Sequence, residues 1–339
     1  MTQKFRVLGA GIWGLAFSDY LLNLGHEVLV FCRDTTLSNK KIEDLKLLNL
    51  SSNNVQPLNS LKSLNSNDAI NIIAVNSKGF DDLLCNYYDY FKSSDKLVSL
   101  TKGIDHDNGY LFHESVNNIF PNIEYGLISG PSFAKDLIDR KKIIVSFASQ
   151  DKQLTEIMTK STKSSYFEMV PTFHIYHIQI AGILKNIAAI ICGMADAIFG
   201  KGIHTNTIIK KACDETWEMS YDQLDGYEFD DDDDEKNWIN DLNKNREAII
   251  TSPGYIGDMI LTCKQDQSRN YQFGHLISKS DISIKQAKDK IGTVEGYDCC
   301  LSLVEKSSRK QGELTNLLYM IINSKNNDRI NLLKSFLQS

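Results

Sequence analysis

The stretch Phe5-Arg6-Val7-Leu8-Gly9-Ala10-Gly11-Ile12-Trp13-Gly14 decides the fold. A short apolar run ends in glycines, and helical periodicity follows from Trp13 to Leu24, closed by Gly25. Glu27 to Cys32 is then β-branched and aromatic, which completes a βαβ unit of about 30 residues. In that setting the glycines have separate tasks. Gly9 permits the tight turn, Gly11 lets the backbone approach a pyrophosphate, and Gly14 lets helix and strand pack closely, while the helix N-terminus faces the anion. The string therefore predicts dinucleotide binding, with Gly9, Gly11, Ile12, Trp13 and Gly14 around the cofactor.

The second strand ends in Cys32-Arg33-Asp34, about twenty residues beyond the glycines, where a ribose-reading group belongs. Two readings compete there. Asp34 suits the 2′-hydroxyl of NAD, whereas Arg33 suits the 2′-phosphate of NADP, which a strand-end carboxylate would repel. Arg33 directly follows the strand, so the balance leans towards NADP and keeps NAD open; a merely solvated surface charge is the plain alternative for Arg33.

Outward from this unit, buried-strand candidates recur at Ile70 to Val75, Leu97 to Leu100, Gly126 to Ser129 and Ile143 to Ala148. Their alternation with helical sequence predicts a parallel, doubly wound sheet. After about Phe173 long apolar helices take over, beginning with Ile175 to Ala197. The expected architecture is an α/β Rossmann-type doubly wound N-terminal domain over 1–173, followed by an all-α C-terminal domain over 174–339. At 339 residues the chain is long enough for both. Tyr227 to Asn245 is acidic and Asn-rich with little periodicity, and reads as an exposed insertion, an inert loop rather than a lid.

Composition limits the functions on offer. Apolar residues make up 42% and charged residues 24%, ordinary for a globular protein, and no apolar run is expected to reach the ~20 residues that cross a bilayer. The net charge of -6 owes much to the run Asp230 to Glu235, so the remainder is near neutral and lacks the basic face of a nucleic-acid binder. That run has neither the Gly nor the alternating ligands of a calcium loop. Nothing near Met1 reads as an export signal. The seven cysteines, odd in number and without zinc spacing, read as reduced thiols of a cytoplasmic protein. His174 and His177 have a spacing of three that suits two metal ligands, but no acidic third ligand follows, and no metal is expected.

Chemistry concentrates in two places. Gln179 to Ile191 is an almost wholly apolar helix with Lys185 at its middle, and the residues one turn away, Ala181, Gly182, Ala188 and Ala189, are all small. Such a lysine is expected in a crowded, desolvated groove, where burial disfavours the charged form and readies the group to exchange a proton. A lysine snorkelling from a helix edge is the alternative. In Gly257-Asp258-Met259-Ile260-Leu261-Thr262-Cys263, Asp258 and Thr262 lie one helical turn apart and are expected to hold one ammonium together. Ser268-Arg269-Asn270 then offers a guanidinium and an amide suited to a phosphate or carboxylate.

The ordered motifs Gly9 to Gly14, Lys102-Gly103, Gly130-Pro131-Ser132-Phe133-Ala134, Leu184-Lys185-Asn186-Ile187, Gly257-Asp258 with Thr262-Cys263, Ser268-Arg269-Asn270 with Phe273-Gly274, and Val294-Glu295-Gly296 span nearly the whole chain. Together they resemble the NAD(P)-dependent glycerol-3-phosphate dehydrogenases. The resemblance implies reversible reduction of dihydroxyacetone phosphate to sn-glycerol 3-phosphate by NADPH or NADH. It implies a homodimer that supplies phospholipid synthesis. It also gives Lys185 the role of general acid and base, assisted by Lys102, with Asp258 and Thr262 orienting it. Gly130, Ser132, Asn206, Ser268, Arg269 and Asn270 would bind substrate, and Arg33, Lys102, Ala134, Arg269, Thr293 and Glu295 would reach the cofactor.

The match departs at Ile12, where the family usually has Ser, at Asn76, where it has Pro, and over Ile208 to Glu215, where its apolar stretch ends in Thr-Arg-Gly. These departures keep two other readings open: a dehydrogenase of another small phosphorylated ketone or hydroxy acid, and a catalytically silent nucleotide sensor.

Overall fold

Alternating apolar strands and amphipathic helices build the first half of the chain. In order they are β1 (Lys4–Leu8), α1 (Ile12–Asn23), β2 (Glu27–Cys32), α2 (Thr35–Leu45), β3 (Val55–Pro57), β4 (Ile70–Ile73), α3 (Lys78–Asn86), α4 (Tyr88–Phe91), β5 (Lys96–Ser99), α5 (Phe112–Ile119), β6 (Glu124–Ser129), α6 (Ala134–Ile138), β7 (Ile143–Ser149), α7 (Lys152–Ser161) and β8 (Phe167–Thr172). The computed structural model describes residues 2–65, 69–92, 96–221, 232–279 and 281–338. Among these, eight strands form one sheet in the order β3-β2-β1-β4-β5-β6-β7-β8. The order reverses between β1 and β4, and the loop leaving β1 opens at that switch point.

Neighbouring strands pair in parallel except β6 with β7, which run antiparallel. The element joining them, α6, is only five residues long, too short to carry the chain back across the sheet for a parallel crossover. Sequence reading overlooked β3, a three-residue strand, and β8, whose outer residues Val170 and Pro171 are exposed and give no buried-strand signal.

The chain divides into two units, Met1–Asp105 with Leu111–Ile175, and His106–Tyr110 with Tyr176–Ser339. The change thus follows Ile175, where the sequence suggested 173, and 106–110 joins the second unit. That short segment is held there by the Arg309 guanidinium, which donates to the Gly109 carbonyl (3.1 Å), and by His106 against the Ser302 hydroxyl (2.7 Å).

The second unit is helical: α8 (Ile175–Phe199), α9 (Thr205–Tyr221), α10 (Asp232–Ile250), α11 (Asp258–Lys264), α12 (Arg269–Ile277), α13 (Ile284–Ile291), α14 (Glu295–Glu305), α15 (Glu313–Asn323) and α16 (Asn326–Gln338). By length and hydropathy α8 is apolar enough to cross a membrane, which corrects the expectation that no such run exists; its most apolar window lies wholly buried within the protein. A helix buried on all sides has no polar face to interrupt the run.

The acidic insertion also needs correction. Residues 227–231 of it lie outside the described residues, but from Asp232 the chain is the helix α10. Leu242 and Ile249, two turns apart, are buried, but the apolar period was hidden in the sequence among Asn, Asp and Lys.

Candidate active site

In the first unit the polar centre is made by main chain. Gly9 has φ +121°, and a Cβ there would lie 2.5 Å from the Ala74 carbonyl oxygen at the end of β4. Only glycine fits that backbone and that approach. The helix α1 begins at Ile12 with no side-chain cap and no acid in its first turn, so its leading N–H groups are not capped by the N-cap side chain. Ile12 is 56% exposed, and its apolar side chain supplies no polar contact.

Around the loop lies a cavity of about 690 Å³ lined by Gly9, Ala10, Gly11, Arg33, Asp34, Lys41, Val75, Asn76 and Lys78, among others. Its size and its uncapped helix end fit the pyrophosphate and adenosine portions of a dinucleotide. Trp13 donates from its indole to the Ser132 carbonyl oxygen (3.1 Å), which fastens the Gly130–Phe133 loop and the start of α6 at Ala134 beside the glycine loop. Asn76, in place of proline, accepts from the Gly79 N–H (2.9 Å) and organises the start of α3.

At the end of β2, Arg33 is exposed, and the Asp34 carboxylate caps α2 by accepting from the Leu37 N–H (2.8 Å). One oxygen of the carboxylate expected to compete for the ribose is therefore engaged by the helix. Lys102, half-buried, follows β5.

In the second unit the centre is made by side chains. Lys185 on α8 is 8% exposed, and its ammonium donates to Oδ1 of Asp258, 2% exposed, at 2.8 Å. Ala181, Ala188 and Ala189 are buried around it. Asp258 is the first residue of α11, where a carboxylate meets the positive end of the helix. The π-turn Pro253–Gly257 leads into that position, and Tyr255, fully buried within it, donates to the Cys213 carbonyl oxygen (2.6 Å) and ties the turn to α9.

Thr262 does not act as expected. Its hydroxyl donates to the Asp258 main-chain carbonyl (2.7 Å), so its only hydrogen serves the helix backbone. Ammonium and carboxylate meet without it.

The helix α12 crosses α8 at glycines: a Cβ on Gly274 would lie 1.8 Å from the Ile190 carbonyl oxygen. This contact sets the start of α12, where Ser268 is the N-cap, accepting from the Tyr271 N–H (3.4 Å), and Arg269 is exposed with no ion pair among the described residues. Asn270 is 7% exposed and committed at both ends of its amide. It donates to Asn186 Oδ1 (2.9 Å) and accepts from the Gly296 N–H (2.9 Å). It ties α12 to α8 and α14, leaving one N–H at most for a ligand. Asn186 in turn donates to Glu295 (3.4 Å) at the start of α14, while Thr293 just before it is exposed, as is Asn206 in the first turn of α9.

Sequence reading quoted Asn186 within a motif but gave it no role, and did not single out Tyr255 or Lys41. Asn186 had a signal, being a second polar residue in an apolar helix; the other two become apparent only through contacts distant in sequence. His177 is 2% exposed and packs its ring on Trp217, the place of a core histidine. No group of three or more metal-ligating side chains occurs among the described residues. The seven cysteines are free thiols, with Cys85 exposed and Cys213 pushed up to about 12 by burial.

A doubly wound sheet with a glycine loop at its switch point, followed by helices carrying a buried lysine–carboxylate pair, defines a two-domain nicotinamide-dependent dehydrogenase. The family models for the N-terminus and C-terminus of NAD-dependent glycerol-3-phosphate dehydrogenase match residues 4–155 and 174–330. The chain belongs to this family and is an oxidoreductase using NAD or NADP. It is 27% identical to the glycerol-3-phosphate dehydrogenase [NAD(P)+] of Francisella philomiragia over 330 residues, covering 93% of this chain and 90% of that protein. Solved glycerol-3-phosphate dehydrogenases share the fold. That from Coxiella burnetii has TM-score 0.80 at 21% identity, over 100% of this chain and 99% of its own. That from Plasmodium falciparum has TM-score 0.76 at 21% identity, over 99% and 95%.

Proposed function

We propose that this chain interconverts dihydroxyacetone phosphate and sn-glycerol 3-phosphate with Lys185 as the proton donor and acceptor. The observation that carries the reading is the buried Lys185–Asp258 pair, 2.8 Å apart, in a chain of this family. When bound, the nicotinamide supplies or takes the hydride at C2. The Lys185 ammonium gives its proton to the C2 oxygen as the ketone is reduced and takes it back from the alcohol in reverse. Asp258 positions the ammonium and balances its charge in a place with little water. Thr262 supports Asp258 through the helix backbone.

The phosphate is assigned to Arg269, with Ser268 and the leading N–H groups of α12, a helix start that suits an anion. Asn270 contributes chiefly by fixing Asn186 and Gly296. Lys102, Gly130, Ser132 and Asn206 keep the substrate roles that the resemblance implies. The cofactor is assigned to Gly9, Gly11, Ile12, Trp13, Gly14 and Arg33, with Lys102, Ala134, Arg269, Thr293 and Glu295. The exposed Arg33 and the capping role of Asp34 support NADP over NAD. A cytoplasmic homodimer acting in phospholipid synthesis completes the reading.

The test is the initial rate of NADPH and NADH oxidation with dihydroxyacetone phosphate, for the wild type and Lys185→Ala. The expected result is a kcat lower by about 10²- to 10⁴-fold in the variant, with NADPH binding kept. A folded, cofactor-binding wild type that does not turn over would move the reading to another phosphorylated ketone or to a silent sensor.

A further inference from the structure

The wall of the cofactor cavity formed by the end of β2 and by α2 carries a cation that neither the glycine motif nor the strand-end position accounts for. Lys41, on the second turn of α2, is half-buried and lines the cavity together with Arg33 and Asp34. Its ammonium donates to the carbonyl oxygen of Ala10, inside the glycine loop, at 3.2 Å. Lys41 therefore reaches from the ribose-reading helix across to the loop, over the position where a group on the adenosine ribose belongs. An ammonium has three donors, so two remain beyond the bond to Ala10.

The local charges show what this cation changes. Arg33 and Asp34 alone cancel, and a neutral rim gives a 2′-phosphate, which bears about -1.5 to -2, little reason to bind. Asp34 holds one oxygen on the Leu37 N–H (2.8 Å), and Ser38, 2% exposed, uses its hydroxyl hydrogen on the Asp34 carbonyl (2.8 Å). The side-chain donors on this wall that can turn to a phosphate are then Arg33 and Lys41.

We propose that Lys41 is a specificity-determining residue, the second cation with Arg33 of a subsite for the 2′-phosphate of the dinucleotide. The inference rests on the cofactor reading above and deepens it. The ammonium that donates to Ala10 would bridge the loop and the phosphate when the cofactor is bound.

The experiment measures equilibrium binding of NADPH and NADH by nicotinamide fluorescence for the wild type, Lys41→Met and Lys41→Arg, with circular dichroism as a check of folding. The expected result is a wild type that favours NADPH. Lys41→Met should weaken NADPH roughly tenfold, the usual size of a lost hydrogen bond to a charged group, and leave NADH within about twofold. Lys41→Arg, keeping the charge, should retain most of the preference. If the wild type favours NADPH and Lys41→Met keeps the full margin, the inference fails while the NADP reading stands on Arg33. Equal weakening of both cofactors would assign Lys41 to the shared pyrophosphate or to the loop and also overturn the proposal. A wild type that binds NADH as tightly as NADPH would remove the NADP reading itself.

Discussion

The glycine loop and the Lys185–Asp258 pair are built in opposite ways. The loop is a run of consecutive residues whose main chain presents the binding groups, with Gly9 pressed against Ala74 and α1 left uncapped. The pair joins side chains 73 residues apart, brought together by α8 and by a π-turn anchored through Tyr255. A site made of backbone should tolerate changes of side chain, such as Ile12 and Asn76, but no change of backbone freedom. A site made of two buried charges tolerates the loss of neither.

The largest expected effect breaks the second arrangement. Asp258→Ala leaves the Lys185 ammonium buried without its 2.8 Å partner and should cost about 3 to 5 kcal/mol of unfolding free energy. A matched double variant with Lys185→Met should cost less than the sum of the two single changes, because no lone charge remains. Urea unfolding of all four proteins checks this; strictly additive losses would mean that the pair is not coupled. Next comes the backbone site. Gly9→Ala meets both the φ of +121° and the Ala74 carbonyl, and should cost roughly 2 to 3 kcal/mol together with most NADPH affinity. Normal stability and affinity in the Gly9→Ala variant would refute the main-chain account of the loop.

The contrast also explains what the sequence made legible. The loop could be read because its logic is local: strand, glycines and helix follow one another within a single βαβ unit. Lys185 was legible as one charge among small residues on an apolar helix. The acceptor for Thr262 was not, because helical spacing places it on the face of Asp258 without telling whether its hydroxyl faces the carboxylate or the main chain. Nor was the commitment of Asn270 legible, since its partners Asn186 and Gly296 lie on other helices. The helix α10 was obscured because apolar residues such as the buried Leu242 and Ile249 are outnumbered by polar ones in its sequence.

Glu215 sharpens the comparison within the helical unit, as a buried carboxylate held by N–H donors. It is 4% exposed, in the segment that departs from the family pattern, and accepts from Leu314 N (2.7 Å), Thr315 N (3.2 Å) and the Thr315 hydroxyl, capping α15 from α9. Burial raises its carboxyl above the ordinary glutamate range, against the pull of those hydrogen bonds. The folded state thus holds the proton more tightly than the unfolded one. Its contribution to stability is fully present below the ordinary glutamate value and is lost as pH rises through the raised folded value. Glu215→Ala should remove that slope and, by stranding buried N–H groups, cost about 2 kcal/mol. Unfolding measured from pH 4 to pH 8 decides it; an unchanged slope in the variant would show that Glu215 is not its source.

The smallest effect is expected where the departure from the family looks most damaging. Ile12→Ser restores a hydroxyl at the first residue of α1, beside leading N–H groups that no N-cap side chain serves. A single exposed hydroxyl competes with water for the same phosphate, so its net worth should stay below about 1 kcal/mol. NADPH should bind no more than about fivefold more tightly, and kcat should not move, since Lys185 and Asp258 belong to another element of the chain. A gain of two orders of magnitude would mean that the loop depends on its side chains after all, and the division between a backbone-built and a side-chain-built centre would have to be given up.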